Sequence, residues 1–470
     1  MAIKVKAIKS EVVAPKQPWS EHSLPLTNLD LVVPPIDLGC FFCYKKPHEQ
    51  VDVNVITIID ALKTSLSQVL VLFHPLAGEI VPNAAGELEI YCNYKGVEFT
   101  EAAADVELWE LDFYNHDENI GGKLIPEKHH GVLAIQVTVL KCGGMVIGCL
   151  FDHRVVDGYS MNMFTSSWAN MTRSQPPSLV PYFDRSDLNP RNSKHYTSSV
   201  ANMFIPLSKI PSPQTDYNKE SDLNQDSRIS RIYYTEGAQI KRLQLLASEN
   251  GTRRSKIEAF ASFCWKITAS FLEDSGHPGY VCNIAVPVDG RRRLSEGEGV
   301  KKEKLMAARC GNVFSIPFQG IRAKDLVGMP LALVANHVHE LSESAATKEH
   351  FKQLIDWVED QRPTTLISRP LAEKEKMFSI MVSSGLRFSL LGNMDLGWGK
   401  PVLASCHVPK TRMDCHLMPM ASPINEDDWI VYMHLPKKQL DYMEARAGHV
   451  FKPLTAGYLQ RALNPQVSRI

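Results

Sequence analysis

At 470 residues the chain is too long for one ordinary domain, and at about 150 residues per domain it points to two or three. With 44% hydrophobic and 22% charged residues it is too apolar to be a disordered polypeptide. The 51 Lys+Arg and 52 Asp+Glu nearly cancel, so composition gives no pointer to nucleic acid or an anionic membrane. The first residues, Met1-Ala2-Ile3-Lys4-Val5-Lys6, interleave lysines with apolar side chains, and no signal-peptide core is expected. The ten cysteines are scattered along the chain, which fits a reducing, cytoplasmic setting better than a secreted disulfide scaffold.

Cys40-Phe41-Phe42-Cys43 has Cys-x-x-Cys spacing. Its aromatic, strand-like neighbours and the lack of a second pair favour a buried strand over a redox or zinc site. From Val53 to Leu72 the residues Ile58, Ile59, Leu62, Leu66, Val69 and Leu70 recur at helical spacing, and Pro75 and Gly78 follow as a stop. Leu133, Ile135, Val137 and Val139 alternate as a strand, Cys142-Gly143-Gly144 turns, and Met145 to Phe151 returns. The stretch from Val132 to Phe151 is the most apolar, yet Gln136, Lys141 and the Gly pair argue against a membrane-spanning helix. Asp152-His153-Arg154-Val155-Val156-Asp157-Gly158 comes next, then Met161, Phe164, Trp168 and Met171 mark one helix face.

Ser, Asn, Asp and Pro dominate from Pro190 to Asp226, including Ser212-Pro213-Gln214-Thr215-Asp216. This predicts a domain at 1–190, a crossover linker at 191–226 and a second domain at 227–470. In the second, Ser255 caps a helix with Glu258 as its capping-box partner, Val281 to Val288 reads as a strand, and Leu331 to Leu341 and Glu349 to Val358 read as helices. The mixture predicts an α/β or α+β fold in both parts. The end, Ser468-Arg469-Ile470, is a weak match to a peroxisomal address, and an ordinary frayed terminus is the preferred reading.

Two His-x-x-x-Asp patterns occur. His48/Asp52 lies in a turn-rich segment and reads as coincidence. His153/Asp157 leaves a buried-looking hairpin just before a helix, where an imidazole is placed to move a proton. Residue types alone still favour a hydrogen-bonded structural histidine there. No third ligand lies nearby in sequence, and no resident metal is expected. Gly-x-Gly-x-x-Gly, the P-loop and Gly-x-Ser-x-Gly are all absent, which removes the main support for dehydrogenase, NTPase and α/β-hydrolase readings. Asp395-Leu396-Gly397-Trp398-Gly399 is a glycine-rich loop, and Asp289-Gly290-Arg291-Arg292-Arg293 concentrates positive charge after a strand.

Together these segments resemble the plant BAHD acyltransferases, which use CoA thioesters. The family's signatures are His-x-x-x-Asp-Gly, here His153 to Gly158, and Asp-Phe-Gly-Trp-Gly, here Asp395 to Gly399 with Leu396 in place of Phe. Thr27-Asn28-Leu29-Asp30, Phe73-His74-Pro75-Leu76-Ala77-Gly78, Val288-Asp289-Gly290-Arg291 and Gly311-Asn312 match in the same order, over nearly the whole chain. Gly385 stands where many members carry Trp. The resemblance implies two chloramphenicol-acetyltransferase-like domains around a channel, with acyl-CoA as co-substrate and no permanently bound cofactor.

It implies His153 as general base, and Asp157 as support paired with one of Arg291 to Arg293. Gly158, Asp395 and Trp398 complete the catalytic set; the resemblance implies that Asp395 and Trp398 lie in a structural loop flanking the CoA channel, with the Trp398 indole as an optional oxyanion donor. For CoA the candidates are Ser255, Lys256, Arg291 and Arg293; for the acceptor, Thr27 and Arg387. The N-terminal segments look most like coniferyl alcohol acyltransferases, with shikimate and quinate hydroxycinnamoyltransferases as nearest competitor. An amine acceptor and a non-catalytic CoA-binding homologue are the further alternatives. The implied partners are an acyl-CoA donor and a small alcohol or amine, on a cytoplasmic monomer without nucleic acid or membrane.

Overall fold

The computed structural model describes residues 3–17, 20–47, 54–210, 227–249, 251–372, 375–388, 390–408 and 415–463. His48/Asp52, the Ser212 to Asp216 stretch and the Ser468-Arg469-Ile470 end lie outside the described residues.

The alternating segments pair as expected. Leu133–Leu140 and Met145–Asp152 form an antiparallel hairpin buried on both faces. They lie inside a six-stranded sheet that runs Val5–Val13, Val97–Ala104, Leu133–Leu140, Met145–Asp152, Asp37–Tyr44, Leu403–His407. Cys40 and Cys43 lie buried in the Asp37–Tyr44 strand, and all ten cysteines are free thiols. Against this layer packs the Val55–Leu72 helix, opened by Asn54, whose side chain accepts from the Thr57 N–H at 2.9 Å. Length and composition would let this helix cross a membrane. Here Trp168 of the Gly158–Thr172 helix donates its indole N–H to Leu62 O and Ser65 Oγ, both at 3.1 Å.

The second sheet has seven strands in the order Phe318–Arg322, Val281–Ala285, Met377–Val382, His416–Ala421, Trp429–Pro436, Arg228–Thr235, Lys452–Pro453. The Lys256–Asp274 helix packs on it, and its Trp265 donates to Cys282 O at 2.9 Å. The strand expected through Val288 stops at Ala285, because Pro287 has no N–H to donate. Val288–Asp289 pairs instead with Phe314–Ser315.

Two observations qualify the expected domain division. Leu403–His407 comes from the second half, yet it pairs antiparallel with Asp37–Tyr44 and closes the first sheet. The described part of the crossover also runs along the Lys348–Glu359 helix. Arg191 engages Asp356 through its backbone N–H at 2.8 Å and its Nε at 2.6 Å. Phe204–Pro206 then pairs with Leu366–Ser368. The second half therefore lends one strand to the first sheet, and the described crossover is anchored to the second half.

Candidate active site

His153 is the first residue past the Met145–Asp152 strand, and its backbone is held at both ends. Its N–H donates to Ile36 O at 2.9 Å, and its carbonyl accepts from Asn312 Nδ2 at 2.8 Å. Arg154 folds back bidentately onto Asp152 at 3.0 and 2.7 Å, which tightens the turn. The imidazole is half-buried. Its Nδ1 is enclosed without a partner among the described residues, which leaves Nε2 as the ring nitrogen that can meet another group.

Asp157 points away from that nitrogen. It caps the Gly158–Thr172 helix by accepting from Ser160 N–H at 2.8 Å. Its carboxylate faces Arg291, with bonds of 2.8 and 3.1 Å, and accepts from Val313 N–H at 3.2 Å. Burial pushes this carboxyl upward, but the Arg291 guanidinium and the Ser160 donors outweigh it and hold it below its ordinary value. Arg291 is 3% exposed and also donates to Asp289 Oδ1 and Gly311 O at 2.8 Å, Ser160 Oγ at 3.1 Å and Arg309 O at 3.2 Å. The expected pairing of Asp157 with this arginine run is thus to Arg291. The assignment of Arg291 to CoA is corrected: every guanidinium N–H group already has a partner inside the protein.

Gly158 has its own steric reason. A Cβ there would lie 2.9 Å from Phe388 Cε2, so the bare backbone lets the Phe388 ring cover the start of the helix. Arg387, the preceding residue, is exposed.

A second clamp holds the turn from behind. Asp30 Oδ1 accepts from both the N–H and Nδ2 of Asn312 at 3.0 Å. Asp30 Oδ2 accepts from the Thr27 N–H and hydroxyl at 2.8 Å and from Arg185 Nη1. Thr27 is buried, and its hydroxyl also accepts from Asp30 N–H at 3.2 Å. Its assignment to the acceptor is corrected, because both ends of that hydroxyl are spent inside the clamp. In the sequence, Asp three residues after Thr is a backbone-capping spacing, and it is the local sign of this clamp at Thr27-Asn28-Leu29-Asp30.

Opposite His153, the second sheet contributes His416. Its Nε2 lies 2.5 Å from Ser383 Oγ, and burial, then the His434 and His153 imidazoles, push it down to about 3, so it is neutral. Gly385 is closed by neighbours, since a Cβ there would meet Met420 Cγ at 2.7 Å and Met418 Cε at 2.9 Å. The methionines fill the space that a larger residue would claim.

The other predicted residues fall elsewhere. Asp395 approaches Arg173 at 4.0 Å, and Tyr44 donates its hydroxyl to Met394 O at 2.9 Å. Arg173 is the C-cap of the helix whose N-cap is Asp157. Fifteen residues at 1.5 Å rise separate the two ends by about 22 Å. Asp395 and Trp398 therefore belong to a loop at the far end of the helix from His153, which corrects their placement in the catalytic set. Ser255 closes its capping box, donating to Glu258 Oε2 at 2.6 Å, and Lys256 Nζ pairs with Asp427 at 2.6 Å. Arg293 is half-buried two residues beyond Arg291 in the short Arg291–Ser295 helix.

Comparison with known proteins agrees with this geometry. The transferase family matches residues 3–450. Anthranilate N-benzoyltransferase protein 1 of Dianthus caryophyllus is 28% identical over 85% of this chain and 89% of its own length. Omega-hydroxypalmitate O-feruloyl transferase of Arabidopsis thaliana is 28% identical over 81% and 79%. In fold, the chain superposes on vinorine synthase with a TM-score of 0.70 at 18% identity, covering 95% of this chain and 98% of that one. The chain belongs to the transferase family of plant BAHD acyltransferases, and it is an acyltransferase on the two-domain chloramphenicol-acetyltransferase-like fold.

Proposed function

We propose that the chain moves an aromatic acyl group from a CoA thioester to the hydroxyl of a small neutral acceptor of the coniferyl alcohol type. In this reading unprotonated His153 takes the acceptor's hydroxyl proton as the oxygen attacks the thioester carbonyl. The C–O bond forms, the C–S bond breaks, and the imidazolium returns the proton to the CoA thiolate. Such positioned base catalysis contributes about 10²–10⁴-fold, or roughly 3–5 kcal/mol of barrier. No acyl-enzyme is needed, since the donor is already activated and both substrates can be held together.

The observation that carries the neutral acceptor is the pairing of the arginines built into the turn and its clamp. Arg154 answers Asp152, Arg185 answers Asp30 and Arg291 answers Asp157. A carboxylated acceptor such as shikimate or quinate would meet neutral His416 instead of an open guanidinium, and Arg387 lies out at the surface. The names of both relatives support an aromatic donor; the Arabidopsis O-feruloyl transferase supports the hydroxyl acceptor, and the Dianthus N-benzoyltransferase is the ground for the amine alternative. For the CoA phosphates, Lys256 and Arg293 remain the candidates. The Lys256–Asp427 pair is solvent-exposed, and such pairs are worth little, so a phosphate can replace the carboxylate.

The test is acceptor-dependent thiol release from coumaroyl-, feruloyl-, benzoyl-, malonyl- and acetyl-CoA with coniferyl alcohol, shikimate, quinate, anthranilate and spermidine. The expected result is the highest kcat/KM for an aromatic donor with coniferyl alcohol. Preference for shikimate, quinate or anthranilate would overturn the neutral-acceptor reading, and preference for spermidine would overturn the hydroxyl one.

A further inference from the structure

Three residues remote in sequence meet where the small His22–Pro25 and Leu88–Cys92 sheet packs on the turn after the Val55–Leu72 helix. His22 of the His22–Pro25 strand sits directly across from Cys92 of the Leu88–Cys92 strand. His74 opens the turn after the Val55–Leu72 helix. Gly78 presses that turn against the strand: a Cβ there would lie 2.4 Å from Tyr91 O and 3.3 Å from Cys92 Cα. One ligand atom from each of His22, His74 and Cys92 falls within 4.8 Å of the others.

The surroundings prepare these groups as ligands. His22 Nδ1 is engaged by Ser20 O at 3.0 Å and the Tyr94 hydroxyl at 3.3 Å, which orients the ring and leaves Nε2 free, as an outer-shell partner of a metal-bound histidine does. His74 Nδ1 is buried without a partner among the described residues, and its ring is fixed between His22 and Phe183, each at 5.0 Å between centroids. Two imidazoles and a thiol suit a borderline-soft divalent ion.

We propose that His22, His74 and Cys92 form a zinc(II)-type site that clips both strands to the turn after the helix. Zinc at about 2.0–2.3 Å from each donor draws them closer than they now stand, by side-chain rotation. The half-exposed imidazoles leave the fourth position to solvent.

The test is cobalt(II) titration of the chelator-stripped full-length protein. The expected result is a thiolate-to-cobalt charge-transfer band with the visible bands of a tetrahedral site, saturating at one cobalt per chain and bleached by zinc. Cys92→Ser should abolish the charge-transfer band, whereas Cys142→Ser should retain it. His22→Ala removes a half-exposed side chain, so it tests the site even if the Cys92 variant fails to fold, and it should weaken binding by about tenfold or more. A folded wild type without the thiolate band, a band that survives Cys92→Ser, or unchanged affinity in His22→Ala would each overturn the proposal.

Discussion

His153 works from a backbone it does not itself control. Asn312 supports its carbonyl, Asp30 supports Asn312, and the Asp157–Arg291 pair fixes the following helix start. Removing the Asn312 amide should let the imidazole drift. Since a misplacement of about 1 Å can cost about 10²-fold, Asn312→Ala should lower kcat by about ten- to a hundredfold, measured by thiol release at saturating substrates. Gly158 is bound by packing. Gly158→Ala drives a methyl into the Phe388 ring and should cost about 1–3 kcal/mol in denaturant unfolding. The double variant Gly158→Ala/Phe388→Ala should lose less stability than the sum of the two single variants.

The Gly158–Thr172 helix links the two signatures mechanically. Its N-cap belongs to the His153 turn, its C-cap Arg173 faces Asp395, and its middle is pinned to the Val55–Leu72 helix by Trp168. Asp395→Ala should therefore lower the thermal midpoint while leaving kcat within about twofold of wild type; a loss of kcat without a loss of stability would return Asp395 to the chemistry. Helical spacing, strand alternation and the Ser255 capping box were all readable from local pattern, because each depends on neighbours within a few residues. The partner of Asp157 was readable only to within the run Arg291 to Arg293. Thr27, Asp395 and Trp398 were misplaced for a different reason: signature letters carry no distances. The burial of Thr27 by Asp30 and the length of one helix exist only after folding.

The assembled molecule buries several histidines between its layers. Burial holds His350 down to about 4, and His407 and His416 down to about 3. For His407 the neighbouring His116 adds to burial, Asp117 opposes it, and His434 adds again. Because these folded values lie below the ordinary 6.5, the unfolded chain takes up protons first as pH falls. Stability from these groups is full above about pH 6.5 and is lost progressively towards pH 3. Thermal midpoints should thus be level near neutrality and fall from about pH 6.5 downward, ahead of the Asp157 pair, whose window lies below 3.8. The sharing of the Leu403–His407 strand between halves predicts that both sheets unfold in one transition. The division of roles around the turn is tested most directly by acceptor-dependent thiol release from a hydroxycinnamoyl-CoA in wild type, His153→Ala and Asp157→Asn, each checked for folding. A loss of about 10²–10⁴-fold is expected in His153→Ala and a smaller loss in folded Asp157→Asn. Turnover retained in His153→Ala, or equal losses in both folded variants, would contradict this division of roles.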